Sequence, residues 1–416
     1  MASRSDDGKS GGRSTTIVDV SAIPIKVPET EFWGGKGEEA LKARQTETDY
    51  VMLPGWTGLY SSKVETCLVR IETLSGLVGY GEGQTPIGPE VTATIVERVL
   101  RPVLVGQDAT RIGVLRRKMY NSLYGRGHYT GYLVDAVASA DTALWDIKGK
   151  ALDRPICDLL GGAFRTRVPV YVSGVKGDSV DEQIADARAY IGRGFRAIKL
   201  FFFEGIEKDP ARFRRIRDAL GEEATVMVDV LWAYDLAAAI RMGQALEETN
   251  GAWLEAAMHP EDLAGHAELA RVLRVAVASG ETDRTRYQFL RQFQLRALDI
   301  AQPDAGRCGV TEGKAIAELA EAYNIPLTMH TGMASAVAIA TSLQLAASIP
   351  DCWYQEFQPF VHEVANRFVK TPIVCEQGHY EVPMRPGLGI EIDEPALREH
   401  EASFRPAAPT GRRRAT

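Results

Sequence analysis

Cysteine is scarce in this chain: five residues among 416 (Cys67, Cys157, Cys308, Cys352 and Cys375), an odd number, widely scattered and without a C-x-x-C pair. Such spacing supports neither a disulfide framework nor a zinc site, so the thiols read as buried and inert in a reducing compartment. Long apolar runs are missing too. The most apolar stretch, 333–347, is interrupted by Ser335, Thr341, Ser342 and Gln344 and reads as a buried helix, since a membrane span needs roughly 18 uninterrupted residues. No basic stripe exists beyond Arg412, Arg413 and Arg414, and Lys+Arg 48 against Asp+Glu 55 leaves a formal charge of −7. That balance attracts neither nucleic acid nor an anionic membrane surface. Residues 1–16 lack the apolar core of a signal peptide, so a cytoplasmic address is the default expectation.

What is present is ordinary globular composition, 45% hydrophobic and 25% charged. The polar segments 1–16 and 405–416 read as disordered tails. From 17 to 163 strands precede helices: TCLVRIE (66–72) alternates as a half-buried strand does, LVGYGE (77–82) follows a Ser-Gly turn, and helical stretches occupy 89–103 and 132–151. This is the order of an α+β domain.

From 164 to 360 the pattern changes. Eight short apolar runs alternate with helix-length segments: 168–174, 197–203, 225–230, 252–257, 274–281, 297–304, 325–331 and 352–357. Nearly continuous hydrophobicity marks buried parallel strands, and eight of them separated by seven helices fit a (β/α)7β modified TIM barrel that lacks its last helix. No G-x-G-x-x-G opens any of the helices, which removes the dinucleotide-binding alternative. Residues 361–404, with turns and strands through 371–393, are expected to return to the first domain.

The chemistry lies in the residues that close the apolar runs. Asp229, Glu255, Glu281, Asp304, His330 and Glu356 end runs three to eight with spacings of 26, 26, 23, 26 and 26. In a parallel barrel these ends share one face, so six titratable groups converge on one mouth. Crowded carboxylates repel by several kcal/mol per close pair unless a cation compensates. Three on adjacent strands, Asp229, Glu255 and Glu281, supply the oxygen ligands that Mg2+ prefers. Asp304 and His330 end neighbouring strands, where a carboxylate fixes the imidazole tautomer and raises its basicity, as a general base requires. Glu356 closes the ring and, kept protonated, would donate a hydrogen bond to an oxygen that gains charge. Lys199, inside the second strand, either extends to the rim or sets a cation beside the substrate or metal ligands.

This succession (Lys199, Asp229, Glu255, Gly280-Glu281, Asp304, His330, Glu356) resembles the enolase superfamily, specifically its mandelate racemase subgroup. The segment ASADTALWDIKGKALDRPICDLLGG (138–162) is similar to that family's capping domain and PGLGIEID (386–393) to its C-terminal return. The resemblance implies a capped barrel and abstraction of the proton α to a carboxylate. It also implies an enolate stabilised by Mg2+ on Asp229, Glu255 and Glu281, an Asp304-His330 dyad as base or acid, Glu356 on the substrate carboxylate, and a homo-oligomer.

One position departs from the family. Where relatives carry K-x-K in the second strand, this chain has Lys199 and Phe201, and Leu231 is apolar where relatives often place a polar group. A racemase needs a proton-transferring group on each face of the intermediate, so the loss favours a reaction run from His330 alone, such as β-elimination of water. Specificity in the family comes from capping loops, which here points to Trp33, Trp56 and Tyr60 in 31–62, and to Arg126 and His128 in 124–132. The sequence therefore reads as a Mg2+-dependent dehydratase of a sugar acid. A cycloisomerase or epimerase of a carboxylate and a catalytically silent binding barrel are the alternatives.

Overall fold

The computed structural model describes residues 14–28, 50–52, 58–61, 63–202 and 204–402. The first domain contributes β1 (Ile17–Pro28), β2 (Tyr50–Met52), β3 (Leu59–Ser61), β4 (Lys63–Thr73) and β5 (Val78–Gly83). β1, β4 and β5 form an antiparallel sheet in that order, while β2 and β3 pair separately. β5 reads VGYGEG because the helix Tyr132–Leu152 lies directly on its backbone. A Cβ added at Gly79 would stand 2.2 Å from the carbonyl oxygen of Ala143, and one at Gly81 would stand 1.7 Å from that of Ser139. Glycine at alternate positions leaves one face of the strand bare, which is what so close an approach requires.

Two local features escape the sequence pattern. The expected helix over 89–103 is broken by a π-helical turn, Val96–Leu100, next to Pro102, whose ring nitrogen has no hydrogen to donate. A further helix, Ile112–Asn121, buries only Ile112, Leu115 and Met119 among basic residues, too thin an apolar stripe to read reliably. Residues 14–16, at the edge of the expected N-terminal tail, are ordered: the Thr15 hydroxyl donates to Asp108 at 2.7 Å, and Thr16 bridges to the same residue.

The second domain is a closed barrel of eight parallel strands. These are β6 (Arg167–Ser173), β7 (Ala197–Phe201), β8 (Thr225–Asp229), β9 (Trp253–Glu255), β10 (Ala276–Ser279), β11 (Ile300–Ala301), β12 (Leu327–Met329) and β13 (Cys352–Phe357). Each pairs with the next, and β13 returns to β6 through Glu356 opposite Tyr171. Seven helices fill the crossovers, the last being Ala336–Ala347, which is buried along its whole length between the strands and the capping domain. The barrel interior beneath the mouth is packed with Tyr171, Ala197, Met227, Trp253, Ala278 and Ile300, with the Tyr171 and Trp253 rings edge to face at 5.5 Å. This plug confines the ionisable residues to one end.

After the barrel, β14 (Cys375–Glu376) and β15 (His379–Glu381) form a hairpin whose second strand runs antiparallel along the start of β6. The chain then crosses to the capping domain, where the Leu388 N–H donates to Asp146 at 2.9 Å and the Lys26 N–H donates to the His400 carbonyl at 3.1 Å. All five cysteines are free, four of them buried. Among the described residues no helix is long and apolar enough to cross a membrane.

His362 sits in this returning segment against Phe357 and Tyr380. Its Nε2 lies 3.1 Å from the Asn366 amide nitrogen and its Nδ1 lies 3.1 Å from the Tyr380 hydroxyl. The amide can only donate, so Nε2 accepts and the ring is neutral. Burial holds its pKa down at about 4, against an ordinary 6.5. The unfolded chain therefore takes up a proton below pH 6.5 that the folded chain refuses, and stability falls as pH drops from 6.5 towards 4, by at most about 1.4 kcal/mol per unit. Urea unfolding at pH 7.5, 6 and 5 is expected to show this slope in the wild type. A His362→Gln variant should show a shallower one, and identical slopes would remove His362 as the cause.

Candidate functional site

Asp229 closes β8, Glu255 closes β9, Glu281 follows β10 by two residues, Asp304 and His330 stand just past β11 and β12, and Glu356 lies in β13. All are buried or nearly so, around Lys199 in the middle of β7. Lys199 does not reach for the rim. Its ammonium pairs with Glu255, lies 3.0 Å from Glu356 and 3.3 Å from Asp229, and has the rings of Tyr171 and Phe201 each 5.3 Å away. Burial alone would lower its pKa, but Glu255, Glu356, Tyr171 and Asp229 together drive it well above the ordinary lysine value.

One oxygen from each of Asp229, Glu255 and Glu281 lies within 4.8 Å of the other two. Burial raises the Asp229 pKa well above the ordinary range, Lys199 opposes this, and the neighbouring Glu255 and Glu281 add to it. Glu281 is raised by burial and by Glu255, with His330 opposing. Oxygens at about 2.1 Å from an octahedral Mg2+ are about 3 to 4.2 Å apart, so this all-oxygen, charge-crowded set fits a hard divalent cation. The backbone is shaped to hold it. Leu231, at φ 49°, turns its N–H back to Asp229 at 2.9 Å. Gly280, at φ 125°, swings Glu281 inward where a Cβ would collide with the Phe289 ring at 2.6 Å. The buried Trp253 indole donates to Glu255 at 2.9 Å. The sequence reading missed this tryptophan, although it lies two residues before Glu255 and hence on the same inward face of β9.

On the far side, His330 Nδ1 is 2.7 Å from Asp304, and its Nε2 faces Glu281 at 3.6 Å and Glu356 at 3.7 Å. Asp304 is pinned in turn: its other oxygen accepts the Gly306 N–H at 2.8 Å and so caps the helix Ala305–Ala322. Burial would lower the His330 pKa, but Glu281, Glu356 and Asp304 push it up to about 9.

The surroundings of Glu356 favour the ionised carboxylate over the protonated donor expected from the sequence. Burial favours the neutral acid, yet Lys199, His330 and the Thr331 N–H at 3.0 Å outweigh burial and hold it well below the usual carboxylate range. Sequence alone does not display the cation that lowers its pKa, because Lys199 reaches it across the barrel from β7.

The capping domain contributes Tyr60, a half-buried residue of β3. Burial and the charges of Asp229 and Glu281 push its phenol up to about 12. Trp33 and Trp56 lie outside the described residues. Arg126 and His128 are exposed at the turn Tyr124–Arg126 and just after it, and no hydrogen bond or ion pair among the described residues joins either to the mouth. Phe201, beside Asp229 in register, points into the barrel with Lys199.

The capped barrel thus gathers three acids, a lysine and a histidine-aspartate pair at one mouth, and the sequence comparisons identify its family. Residues 182–396 match the Enolase C-terminal domain-like family and residues 57–161 match the Mandelate racemase / muconate lactonizing enzyme N-terminal domain. The chain belongs to the enolase superfamily, in its mandelate racemase subgroup. It is 32% identical to an arabinonate dehydratase of Saccharolobus solfataricus, over 83% of this chain and 92% of that one. It is 33% identical to a D-galactarolactone cycloisomerase of Agrobacterium fabrum, over 80% and 90% respectively. A racemase from Streptomyces coelicolor A3(2), solved with bound magnesium, superposes with a TM-score of 0.79 at 27% identity, covering 93% of this chain and all of that one (100%).

Glu255→Gln is expected to weaken Mg2+ binding by at least about 100-fold, and Trp253→Phe, which removes only the orienting N–H, by about 10-fold. Calorimetric titration of each variant with MgCl2 measures both. Wild-type affinity in Glu255→Gln would show that the cation binds elsewhere.

Proposed function

We propose that this protein is a Mg2+-dependent hydro-lyase that removes the proton α to the carboxylate of a sugar acid and expels the β-hydroxyl as water. The observation that carries this reading is the one-sidedness of the mouth: His330 bonded to Asp304 on one side, a phenylalanine, Phe201, on the other. Bound at Asp229, Glu255 and Glu281, Mg2+ would supply Lewis-acid stabilisation of the charge that develops on the substrate carboxylate.

The chain's own residues do the rest. Asp304 holds the Nδ1–H of His330, leaving Nε2 to take the α-proton, and the C–H electron pair becomes the enolate double bond. A cation held by Glu281 would offset the largest of the charges that raise the His330 pKa and so leave the ring neutral before the step, while Glu356 and Asp304 favour the imidazolium so formed. The imidazolium returns the proton to the β-oxygen as the C–O bond breaks, giving water and an enol that tautomerises to a 2-keto acid. Lys199 keeps a positive charge beside the metal ligands, where the substrate carboxylate would bind, and Glu356 orients Lys199 and the loop that follows His330. The similarity to a dehydratase supports elimination. The similarity to a cycloisomerase supports a second reading, in which the same base and enolate serve an isomerisation that retains the elements of water.

A panel of aldonic and aldaric acids, each incubated with enzyme and MgCl2 and scored by mass spectrometry and by 2-keto-acid derivatisation, separates these readings. Loss of one water with keto-acid formation is the expected outcome, and an isomer of unchanged mass would select the second. His330→Asn should lower kcat by about 1,000-fold or more. In D2O, substrate recovered from the wild type should keep its α-carbon configuration, and inversion would overturn the single-base scheme.

A further inference from the structure

Each of the three barrel loops carrying Glu281, Asp304 and His330 is fastened by a buried side chain of the capping domain. Asp135 takes a two-pronged bond from Arg284, at 2.7 and 3.2 Å, three residues after Glu281. Gln84 donates its backbone N–H to the Gly306 carbonyl at 3.0 Å and accepts from the Arg307 guanidinium with its side chain, both in the first turn after Asp304. Glu82 makes the most complete of these attachments. Its Oε1 accepts the Ser335 N–H and the Thr66 hydroxyl, each at 2.6 Å, and its Oε2 accepts the Ser335 hydroxyl at 2.5 Å and the Ala338 N–H at 2.8 Å.

Three of these four donors, the Ser335 N–H and hydroxyl and the Ala338 N–H, belong to the N-terminus of the helix Ala336–Ala347, where unpaired N–H groups and the helix dipole favour an anion. The loop leading into it, 331–334, starts at the catalytic mouth. Its Thr331 N–H donates to Glu356 at 3.0 Å and its Gly332 N–H donates to Asp304 at 3.3 Å. The loop is thus held at one end by the site and at the other by a carboxylate from a different domain. Both oxygens of Glu82 are in use, so a glutamine in its place would turn an NH2 group against donors and satisfy only half of them.

We propose that Glu82 is a positioning residue for the His330 face of the site: by clamping Ser335 and Ala338 it fixes loop 331–334, and through it the alignment of His330 with Asp304. The inference rests on the reading of His330 as the base. Displacing a catalytic group by about 1 Å costs about 100-fold in rate, while ground-state binding suffers little.

The test is Glu82→Gln in the full chain, assayed on the acid that the wild type turns over. A kcat lowered about 10- to 100-fold is expected, with KM and Mg2+ affinity by calorimetry within threefold of wild type. Combined with His330→Asn, it should lower the residual rate no further than His330→Asn alone, because it acts through that side chain. Amide hydrogen exchange, which needs no substrate, should be at least about tenfold faster across 329–336 and unchanged in the barrel strands. Ser335→Ala, a milder cut at the same clamp, carries the same readouts if Glu82→Gln does not fold, and Ser335→Thr, which keeps the hydroxyl, should restore the wild-type rate. Wild-type kcat, unaltered exchange across 329–336, or additive losses in the double variant would each overturn the proposal. Full activity in His330→Asn would instead overturn the reading of the base, and the exchange measurement would still decide whether Glu82 clamps the loop.

Discussion

Repulsion among carboxylates crowded into the barrel mouth is the constraint on which the rest of the structure depends. Asp229, Glu255, Glu281, Asp304 and Glu356 face one buried space that also holds one ammonium, Lys199, and one imidazole, His330. At an effective dielectric near 20, two such charges about 4 Å apart repel by about 4 kcal/mol. A flexible scaffold would relieve that by letting the side chains swing apart. Here fixed donors prevent it: the Leu231 N–H on Asp229, the Trp253 indole on Glu255, the Gly306 N–H on Asp304 and the Thr331 N–H on Glu356. The aromatic plug below the mouth gives those donors a rigid base. A site preorganised against its own repulsion is poised to bind a cation and, with it, an anion.

The fold was legible because it is periodic. Buried parallel strands are uniformly apolar, the residue that ends each is conspicuous by its charge, and a repeat near 26 is one strand, one helix and two loops. Asp229, Glu255 and Glu281 on adjacent strands could be grouped from that repeat alone. What the sequence withheld was of another kind. The charge that lowers the Glu356 pKa comes from Lys199, which reaches it from a strand 157 positions away in number, a relation that only closure of the barrel creates. Backbone donors such as those of Leu231 and Thr331 carry no side-chain signature. The cap-to-barrel bond from Glu82 to Ser335 joins residues 253 apart, and nothing local to either predicts it. Tyr60 was singled out from its loop, but the charges that raise its pKa, Asp229 and Glu281, lie far from it in sequence.

The union of the two domains has its own chemical logic, concentrated in the helix Tyr132–Leu152. Three of its acids are buried, and each engages a different part of the molecule. Asp135 binds Arg284 in a barrel loop. Asp141 accepts the Thr311 N–H and hydroxyl, at 2.8 and 2.6 Å, in a barrel helix. Asp146 accepts the Tyr80 N–H of β5 at 3.0 Å and the Leu388 N–H of the returning C-terminal segment at 2.9 Å. Buried carboxylates are tolerated only when bonded, so each doubles as a check that its partner segment is in place. With the glycines of β5 letting this helix lie flush on the sheet, cap sheet, barrel loops and C-terminal return are locked to one spine.

That rigidity bears directly on what the mouth can do. Inward positions alternate along β7, so Ala197, Lys199 and Phe201 line the same wall, and the cation and the ring share it with no intervening polar group. Had the wall been mobile, Lys199 itself would be free to approach a substrate carbon. Held instead by Glu255, Glu356 and Asp229, its ammonium is a charge fixed in place by three carboxylates. In the proposed reaction proton transfer falls to His330, whose two nitrogens are unequal: one is committed to Asp304 and the other faces the acids of the mouth. The proposed preference for elimination over racemisation therefore rests on two features acting together, a phenylalanine that cannot accept a proton and a lysine whose ammonium is held by three carboxylates.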